Sequence, residues 1–302
     1  MTQARRTEGH AAAPATIRLG DLEVQRMGYG AMRLPGKEVW GEPDDPARAR
    51  QVLRRAVELG INLIDTAWYY GPLVANQLIA EALHPYPQGL VIATKLGGKR
   101  LPDKRWAPAL RPEELRQGAE DDLRTLRLER LDVVHLRNMP AAGVPLLESL
   151  DVLLAMQAEG KIRHIGLSNV NAKEIEQALA RTPIVTVQNL FNVSGGGGEA
   201  ARLARAEVED PEGVLDLCTR HAIAYLPFFP LAVGNIAATK PILSTIAVKH
   251  HATPAQIALA WLMARSPIML PIPGTSSVEH LEENWDARRI ALSAAEMALI
   301  AN

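Results

Sequence analysis

Short apolar runs alternate with longer amphipathic stretches along the chain. Residues 61–65 (INLID), 90–95 (LVIATK), 131–136 (LDVVHL), 162–167 (IRHIGL), 184–188 (IVTVQ), 223–226 (IAYL) and 268–271 (IMLP) are short and rich in β-branched residues, as strands are. Several start just after Gly60, Gly89 or Gly160, where a helix or its following turn ends. Between them, residues 46–59 place Val52, Leu53, Ala56, Val57 and Leu59 at helical spacing. Residues 112–126 open with Pro112, Glu113 and Glu114, the proline and acidic first turn that helix starts favour. Further helices are expected at 146–159, 172–180, 211–219 and 254–264. Strand–helix alternation at this spacing predicts a parallel sheet. Residues 25–30 (QRMGYG) supply the eighth strand, ahead of the helix that opens at Pro46. The expected architecture is an α/β fold, a (β/α)8 TIM barrel.

Residues 16–24 have a different pattern and predict a β-hairpin turning at Gly20–Asp21. Ahead of the first barrel strand, such a hairpin is placed to close the bottom. Residues 1–15 are expected to form a disordered tail, and residues 16–302 one barrel domain. Residues 194–210 (SGGGGEAARLARAEVED) join a glycine run to a charged helical pattern, which reads equally as a mobile lid and as a passive insertion.

Composition narrows the function classes. The chain has 302 residues, 47% apolar and 22% charged, a globular balance with enough apolar side chain for one large core. Its 33 basic and 34 acidic residues leave a net charge of −1, which favours neither nucleic acid nor an anionic membrane as partner. The single cysteine, Cys218, cannot form an intrachain disulfide and sits in a helical pattern, so a buried structural thiol is expected. The first fifteen residues lack the apolar run of a signal peptide, and no stretch approaches the ~18 apolar residues of a membrane span. A cytoplasmic location is therefore expected. No metal site is assigned, and the sequence leaves the oligomeric state open.

In a parallel barrel, polar residues where strands end and βα loops begin carry the chemistry. Here those residues are Asp65 and Tyr70 after the second strand, Lys95 at the end of the third, His135 and Arg137 on the fourth, Ser168 and Asn169 after the fifth, and Gln188 after the sixth. Each has a structural explanation taken singly. Asp65 can cap a turn, Lys95 can extend to solvent from a strand end, and Tyr70 can pack against a neighbour. Together they favour a site. A buried lysine needs an anion, and Asp65 on the adjacent strand supplies one. A phenol beside that ammonium is expected to have its pKa lowered, which suits it to give a proton to a carbonyl oxygen.

The stretches Asn62–Gly71 (NLIDTAWYYG), Val91–Gly97 (VIATKLG), Ile165–Val170 (IGLSNV), Val187–Asn192 (VQNLFN) and Ile272–Asn284 (IPGTSSVEHLEEN) resemble the motifs of the aldo-keto reductase family, in family order over nearly the whole chain. The resemblance implies hydride transfer between a nicotinamide dinucleotide, NADPH first with NADH also admitted, and a small aldehyde or ketone. It makes Tyr70 the general acid, tuned by Asp65 and Lys95. It places Ser168, Asn169 and Gln188 on the nicotinamide carboxamide. Phe228, beside Pro230 and Leu231 in YLPFFPL, would stack on the nicotinamide ring, and Gly30, Ala31 and Met32 would line the cofactor near the first strand. The last motif brings Gly274, Thr275, Ser276, Ser277, His280, Glu283 and Asn284 to the adenosine end, with the two serines as phosphate donors and Glu283 and Asn284 on the adenine.

Two departures stand out. The family's catalytic histidine lies five residues after the fourth-strand aspartate; five after Asp132 is Arg137, while His135 is three on. Strand periodicity puts Val133, His135 and Arg137 on one face, with Arg137 nearer the rim. Arg137 is thus expected to hold the carbonyl oxygen, and His135 to be a satisfied core histidine one layer deeper. The second departure is at the 2′-phosphate site, where Gly274 and His280 stand in place of the family's usual cations. The stretches LDVVHLRNM and YLPFFPLAVGN resemble a bacterial branch, which implies an aromatic aldehyde such as pyridoxal. The competing resemblance is to the nucleotide-sensing barrel subunits of potassium channels, which also lack the histidine; the intact Asp65, Tyr70 and Lys95 favour an enzyme. Specificity is expected to reside in residues 97–111, 139–145 and 194–210 and in the C-terminus.

Overall fold

The computed structural model describes residues 15–194, 209–232 and 236–301. All but one residue of the expected tail (1–15), and most of the expected lid or insertion (194–210), lie outside the described residues. Strands β1 (Thr16–Leu19) and β2 (Leu22–Gln25) form an antiparallel hairpin about Gly20–Asp21. Strand β3 (Tyr29–Gly30) then opens a parallel sheet that continues through β4 (Leu63–Asp65), β5 (Val91–Arg100), β7 (Leu131–Arg137), β8 (Ile162–Ser168), β9 (Thr186–Gln188) and β10 (Ala224–Tyr225). Strand β6 (Trp106–Ala109) pairs only with the outer end of β5.

Residues 268–273 close the barrel. On one side, Tyr225 N donates to Ile268 O and Leu270 N to Tyr225 O, each at 2.9 Å. On the other, Gly28 N donates to Pro271 O at 2.9 Å and Gly30 N to Pro273 O at 3.3 Å. The two prolines accept through their carbonyls but have no N–H to return. The eighth strand is therefore bonded on both edges without a regular ladder. The fold is a (β/α)8 barrel.

Helices cover the outside where their caps and apolar faces dictate. Helix α1 (Pro46–Glu58) starts where the Asp45 side chain accepts from Arg48 N, and it buries Ala49, Val52, Leu53 and Ala56 on one face. Helix α2 (Val74–Leu83) escapes the periodicity reading because its apolar residues run almost all round it. Helix α3 (Pro112–Leu126) carries Glu114, whose carboxylate accepts from Arg111 N as the helix begins. Helix α4 (Leu146–Ala158) and helix α5 (Ala172–Leu179) follow, α5 opening with a reciprocal Asn171–Glu174 box. Beyond β9 come α6 (Pro211–Arg220), the single turn α7 (Ile236–Thr239), α8 (Ile242–Lys249), α9 (Pro254–Arg265), α10 (Val278–Asp286) and α11 (Ala294–Ala301). Cys218 is buried on α6, and burial pushes its thiol up to about 12, the inert form expected.

The barrel interior is graded along its axis. At the bottom, Leu19 and Val24 of the hairpin pack against inward Leu63, Val91, Ala93, Val133, Ala224, Leu226, Leu270 and Ile272. The hairpin thus plugs the amino-terminal end, as expected. Strand period two then carries the inner face from Ala93 to Lys95, from Val133 to His135 and Arg137, and from Leu63 to Asp65. At mid-height, Thr186 Oγ1 meets His135 Nε2 at 2.9 Å across the intervening β8. They meet because the residue between them is Gly166. A Cβ there would lie 2.1 Å from Thr186 Oγ1 and 2.7 Å from His135 Cδ2.

Gly166→Ala is therefore expected to overpack the barrel interior and cost about 1–3 kcal/mol of stability, read by urea denaturation. A variant as stable as the wild type would mean that β8 shifts freely at this height.

Candidate active site

Above the apolar floor, the inner residues become polar and meet one another. Asp65 ends β4 opposite Ala93 of β5, and Lys95 lies two residues further along β5 on the same inner face, within reach of the carboxylate. The Lys95 ammonium donates to Asp65 Oδ1 at 2.5 Å and to Thr66 O at 2.8 Å. Asp65 Oδ2 accepts from Gln188 Nε2 at 2.8 Å, although β9 is on the far side of β5, β7 and β8. That bond fixes which end of the Gln188 amide is oxygen. Asp65, Lys95 and Gln188 are all buried. A buried ion pair is tolerable only when its remaining donors and acceptors are matched, and these bonds match them.

Tyr70 stands in the turn between β4 and α2, held by Tyr70 N to Ala67 O at 2.9 Å and Ala75 N to Tyr70 O at 3.1 Å. The Lys95 nitrogen is 5.1 Å from its ring centre. The sequence expectation for this phenol is corrected. Burial, and then the Asp65 carboxylate, hold its pKa above the ordinary tyrosine value, with Arg137 opposing. Burial is the largest cause, and the ammonium nearby does not reverse it. Tyr70 is accordingly a neutral phenol, a proton donor rather than a phenolate.

A cavity of about 630 Å³ opens over these groups. One wall is aromatic. Tyr69 stands edge-on to Tyr70 at 5.4 Å and to Trp106 at 5.7 Å between ring centres. Trp106 comes from the β5–β6 hairpin, which the strand pattern misses because Gly97 and Gly98 interrupt it. Gly97 turns the chain out of the barrel at φ +109°, a conformation that favours glycine. Arg100 braces this hairpin, lying 4.3 Å from the Trp106 ring centre and 5.4 Å from that of Trp40. The opposite wall carries Phe228, Phe229, Pro230 and Leu231, with the Arg137 guanidinium 5.7 Å from the Phe228 ring centre.

His135 and Arg137 separate as expected. Arg137 lines the cavity, while His135 is enclosed below it. His135 Nδ1 is 3.3 Å from Thr94 O, which can only accept, so Nδ1 carries the proton and Nε2 accepts from Thr186 Oγ1. Burial pushes this imidazole down to about 4.

Among the described residues, the buried Ser168 Oγ, Asn169 Oδ1 and Gln188 Oε1 have no partner. Such atoms are costly, each on the order of 1–3 kcal/mol when left unmatched. Ser168 and Gln188 are register partners, and Asn169 N donates to Gln188 O at 3.3 Å, so the three belong to one corner of the rim. Two fixed acceptors and a hydroxyl match a ligand primary amide, the group that a nicotinamide presents. The residues present fit the cofactor that the sequence implies.

Of the other expected residues, Gly30, Met32, Gly274, Thr275, Ser276, His280, Glu283 and Asn284 line the cavity. Gly30 and Gly274 pass so closely that a Cβ on either would lie within 2.7 Å of backbone oxygen. Ala31 is buried behind the lining. Ser277 is already engaged elsewhere, because its Oγ accepts from His280 N at 3.2 Å as the cap of α10 and donates to Glu279 at 2.5 Å. Sequence reasoning missed Tyr69 and Arg33 and reached Trp106 and Met139 only as members of the 97–111 and 139–145 specificity segments; all four are in the lining. Arg33 sits beside Gly274, with Cγ 3.6 Å from the position of a Cβ there. Among the described residues, no group of His, Cys, Asp or Glu is placed to hold a metal, and no helix is long and apolar enough to cross a membrane.

Comparison with known proteins agrees with this geometry. The aldo/keto reductase family model matches residues 26–302. A pyridoxine 4-dehydrogenase of Escherichia coli is 45% identical over 284 residues, covering 92% of this chain and 94% of that protein. A thermostable aldo-keto reductase, solved with the inhibitor epalrestat, is 30% identical with a TM-score of 0.78, over 95% of this chain and 98% of that one. An aldo/keto reductase of Klebsiella pneumoniae, solved with NADP and acetate, is 26% identical with a TM-score of 0.73, over 95% and 94%.

The buried histidine gives a pH prediction. Its folded value, about 4, lies below the ordinary 6.5, so the unfolded chain takes up the proton first. The stability this group contributes is complete above pH 6.5 and is lost as pH falls toward 4, by up to roughly 3 kcal/mol. His135→Gln is expected to remove that dependence from urea-unfolding curves taken across this range. Identical pH slopes in wild type and variant would show that His135 is not held neutral.

Proposed function

The chain belongs to the aldo/keto reductase family and is an oxidoreductase; from that premise we propose that it reduces an aromatic aldehyde of the pyridoxal class with NADPH. The observation that carries the reading is the Asp65–Lys95–Tyr70 group at the base of the cavity, beside the unpartnered Ser168, Asn169 and Gln188 atoms. NADPH, when bound, supplies hydride to the carbonyl carbon. Tyr70 gives its phenolic proton to the carbonyl oxygen, which leaves an alcohol. The Lys95 charge stabilises the phenolate that remains, and Asp65 holds Lys95 in place.

Arg137 takes the position from which a cation meets negative charge developing on the carbonyl oxygen. Ser168, Asn169 and Gln188 orient the nicotinamide amide, and Phe228 lies against its ring. Gly30, Met32 and the Gly274–Asn284 segment receive the rest of the dinucleotide. The substrate class rests on two supports: the aromatic walls of Tyr69, Trp106 and Phe228 around the acid, and 45% identity to a protein named for oxidising pyridoxine at position 4. Flat rings stack against such walls with favourable edge and face contacts. The nucleotide-sensor reading has the missing histidine in its favour and the intact Asp65, Tyr70 and Lys95 against it.

Lys95→Met is expected to abolish NADPH-dependent reduction of pyridoxal and other aromatic aldehydes while leaving NADPH affinity nearly intact, because Lys95 touches the acid and not the dinucleotide. A parallel loss of affinity in a fluorescence titration would refute that role. Arg137→Ala is expected to lower turnover on the order of 10²-fold, and His135→Gln to lower stability much more than rate. The reverse order would make His135 the group that assists the carbonyl. NADPH is expected to bind more tightly than NADH, with the Ser276 hydroxyl and the nearby Arg33 available to the 2′-phosphate; equal dissociation constants by calorimetry at low salt would count against this.

A further inference from the structure

Outside the barrel wall, directly behind Lys95, lies a closed ring of buried hydrogen bonds that the chemistry above does not use. Lys95 Nζ donates to Thr66 O at 2.8 Å, and Thr66 Oγ1 donates to Asn76 Oδ1 at 2.8 Å. Asn76 Nδ2 donates to Asp122 Oδ1 at 2.6 Å, and Asp122 Oδ2 accepts from Thr94 Oγ1 at 2.7 Å. Thr94 is joined to Lys95 by one peptide bond, so the ring closes. Thr66, Asn76, Thr94 and Asp122 are fully buried, Asn76 on α2 and Asp122 on α3.

Packing alone does not explain a carboxyl group here, since apolar residues fill such space without loss of hydration. The direction of the bonds is informative. Asn76 and Thr94 both donate to Asp122, which favours the carboxylate. Burial works against that charge and pushes the group up to about 7, with Thr94, Asn76 and Lys95 opposing. Asp122 is thus a buried carboxyl group that its hydrogen-bond donors keep from full protonation, 28 positions along the chain from Thr94. Its bonds hold the two chain segments that flank the ammonium.

We propose that Asp122 is a positioning residue for hydride transfer: by anchoring Thr94 directly and Thr66 through Asn76, it fixes the direction of the Lys95 ammonium and hence the placement of the Tyr70 phenol. An ammonium has three donors. Asp65 and the Thr66 carbonyl take two, and the nitrogen lies 5.1 Å from the Tyr70 ring centre. Release of the Thr66 carbonyl frees the ammonium to turn, and small misplacements of this kind are costly in rate, up to 10²-fold for about 1 Å. The inference rests on the roles proposed above for Lys95 and Tyr70.

The test is steady-state kinetics on Asp122→Asn, with NADPH affinity by fluorescence titration and a melting curve, measured beside wild type and Lys95→Met at a temperature well below every melting point. The expected result is a fall in kcat of roughly ten- to a hundredfold, with the aldehyde KM and the NADPH dissociation constant nearly unchanged. A purely structural role would lower the melting temperature and leave kcat intact, and that outcome overturns the proposal. Should Asp122→Asn not fold, Thr66→Val decides. It removes the bond from Thr66 Oγ1 to Asn76, so the carboxylate and the Thr66 carbonyl are still present but the carbonyl is no longer anchored; a comparable fall in kcat supports the proposal, and wild-type kcat overturns it. An active Lys95→Met would remove the premise and the inference together. An inactive Lys95→Met beside a fully active Asp122→Asn removes the inference alone.

Discussion

The Asp65–Lys95 ion pair inside the barrel is the constraint on which the rest of the site depends. Two charges withdrawn from water are stable only in a frame that matches every remaining donor and acceptor. Here the frame is the barrel. Strand register puts Asp65 opposite Ala93, so that Lys95, the next inner residue of β5, reaches its carboxylate; a glutamine from across the barrel takes the second carboxylate oxygen, and a backbone carbonyl takes a second ammonium proton. The pair then governs the acid beside it. Burial and the carboxylate keep Tyr70 protonated. On the reaction proposed above, a substrate oxygen that gains negative charge in the transition state would shift that balance toward proton release from Tyr70.

The barrel axis supports this through a gradient. The hairpin and the lower inner residues form an apolar floor, mid-height is a neutral histidine–threonine pair, and charge appears only at the carboxyl ends of the strands. Water is thereby excluded from one side of the ion pair, and the cavity approaches it from the other. The aromatic wall has its own support, because Arg100 sits between Trp40 and Trp106 and ties the β5–β6 hairpin to the loop that follows the first barrel strand. Planar cation–aromatic contacts of this kind stiffen a surface loop at low entropic cost.

Much of this was legible in the sequence for a physical reason. Strands buried in a barrel read as short β-branched runs, so seven are visible, including 268–271, where prolines suppress a regular ladder; the first barrel strand, 25–30, has no β-branched residue and follows only from the count of eight. The hairpin showed through its glycine turn, and the polar residues at strand ends marked the rim. What stayed hidden depends on packing in three dimensions. Helix α2 is apolar nearly all round and shows no amphipathic period. The β5–β6 hairpin interrupts its strands with glycines, so Trp106 read as loop. The sign of the Tyr70 shift needed the depth of its burial, the largest cause, which the sequence does not show. Ser277 resembled a phosphate donor, but its position just before a helix commits it to a cap. Gly166 was silent, because its role is to have no side chain between His135 and Thr186.

The closing seam between the first and last barrel strands has a dynamic consequence. Pro271 and Pro273 donate nothing back across it, so its two backbone bonds, from Gly28 and Gly30, run in one direction only, and local opening of a fold draws on such thinly bonded places. The cavity straddles the same joint, touching Gly30 and Met32 on one bank and Gly274, Thr275 and Ser276 on the other. A molecule seated there acts as a cross-strap over a stave without a regular ladder. Occupancy and global rigidity are coupled by mass action, so the cellular concentration of the ligand also sets how often the cask springs open and how long the chain resists proteolysis.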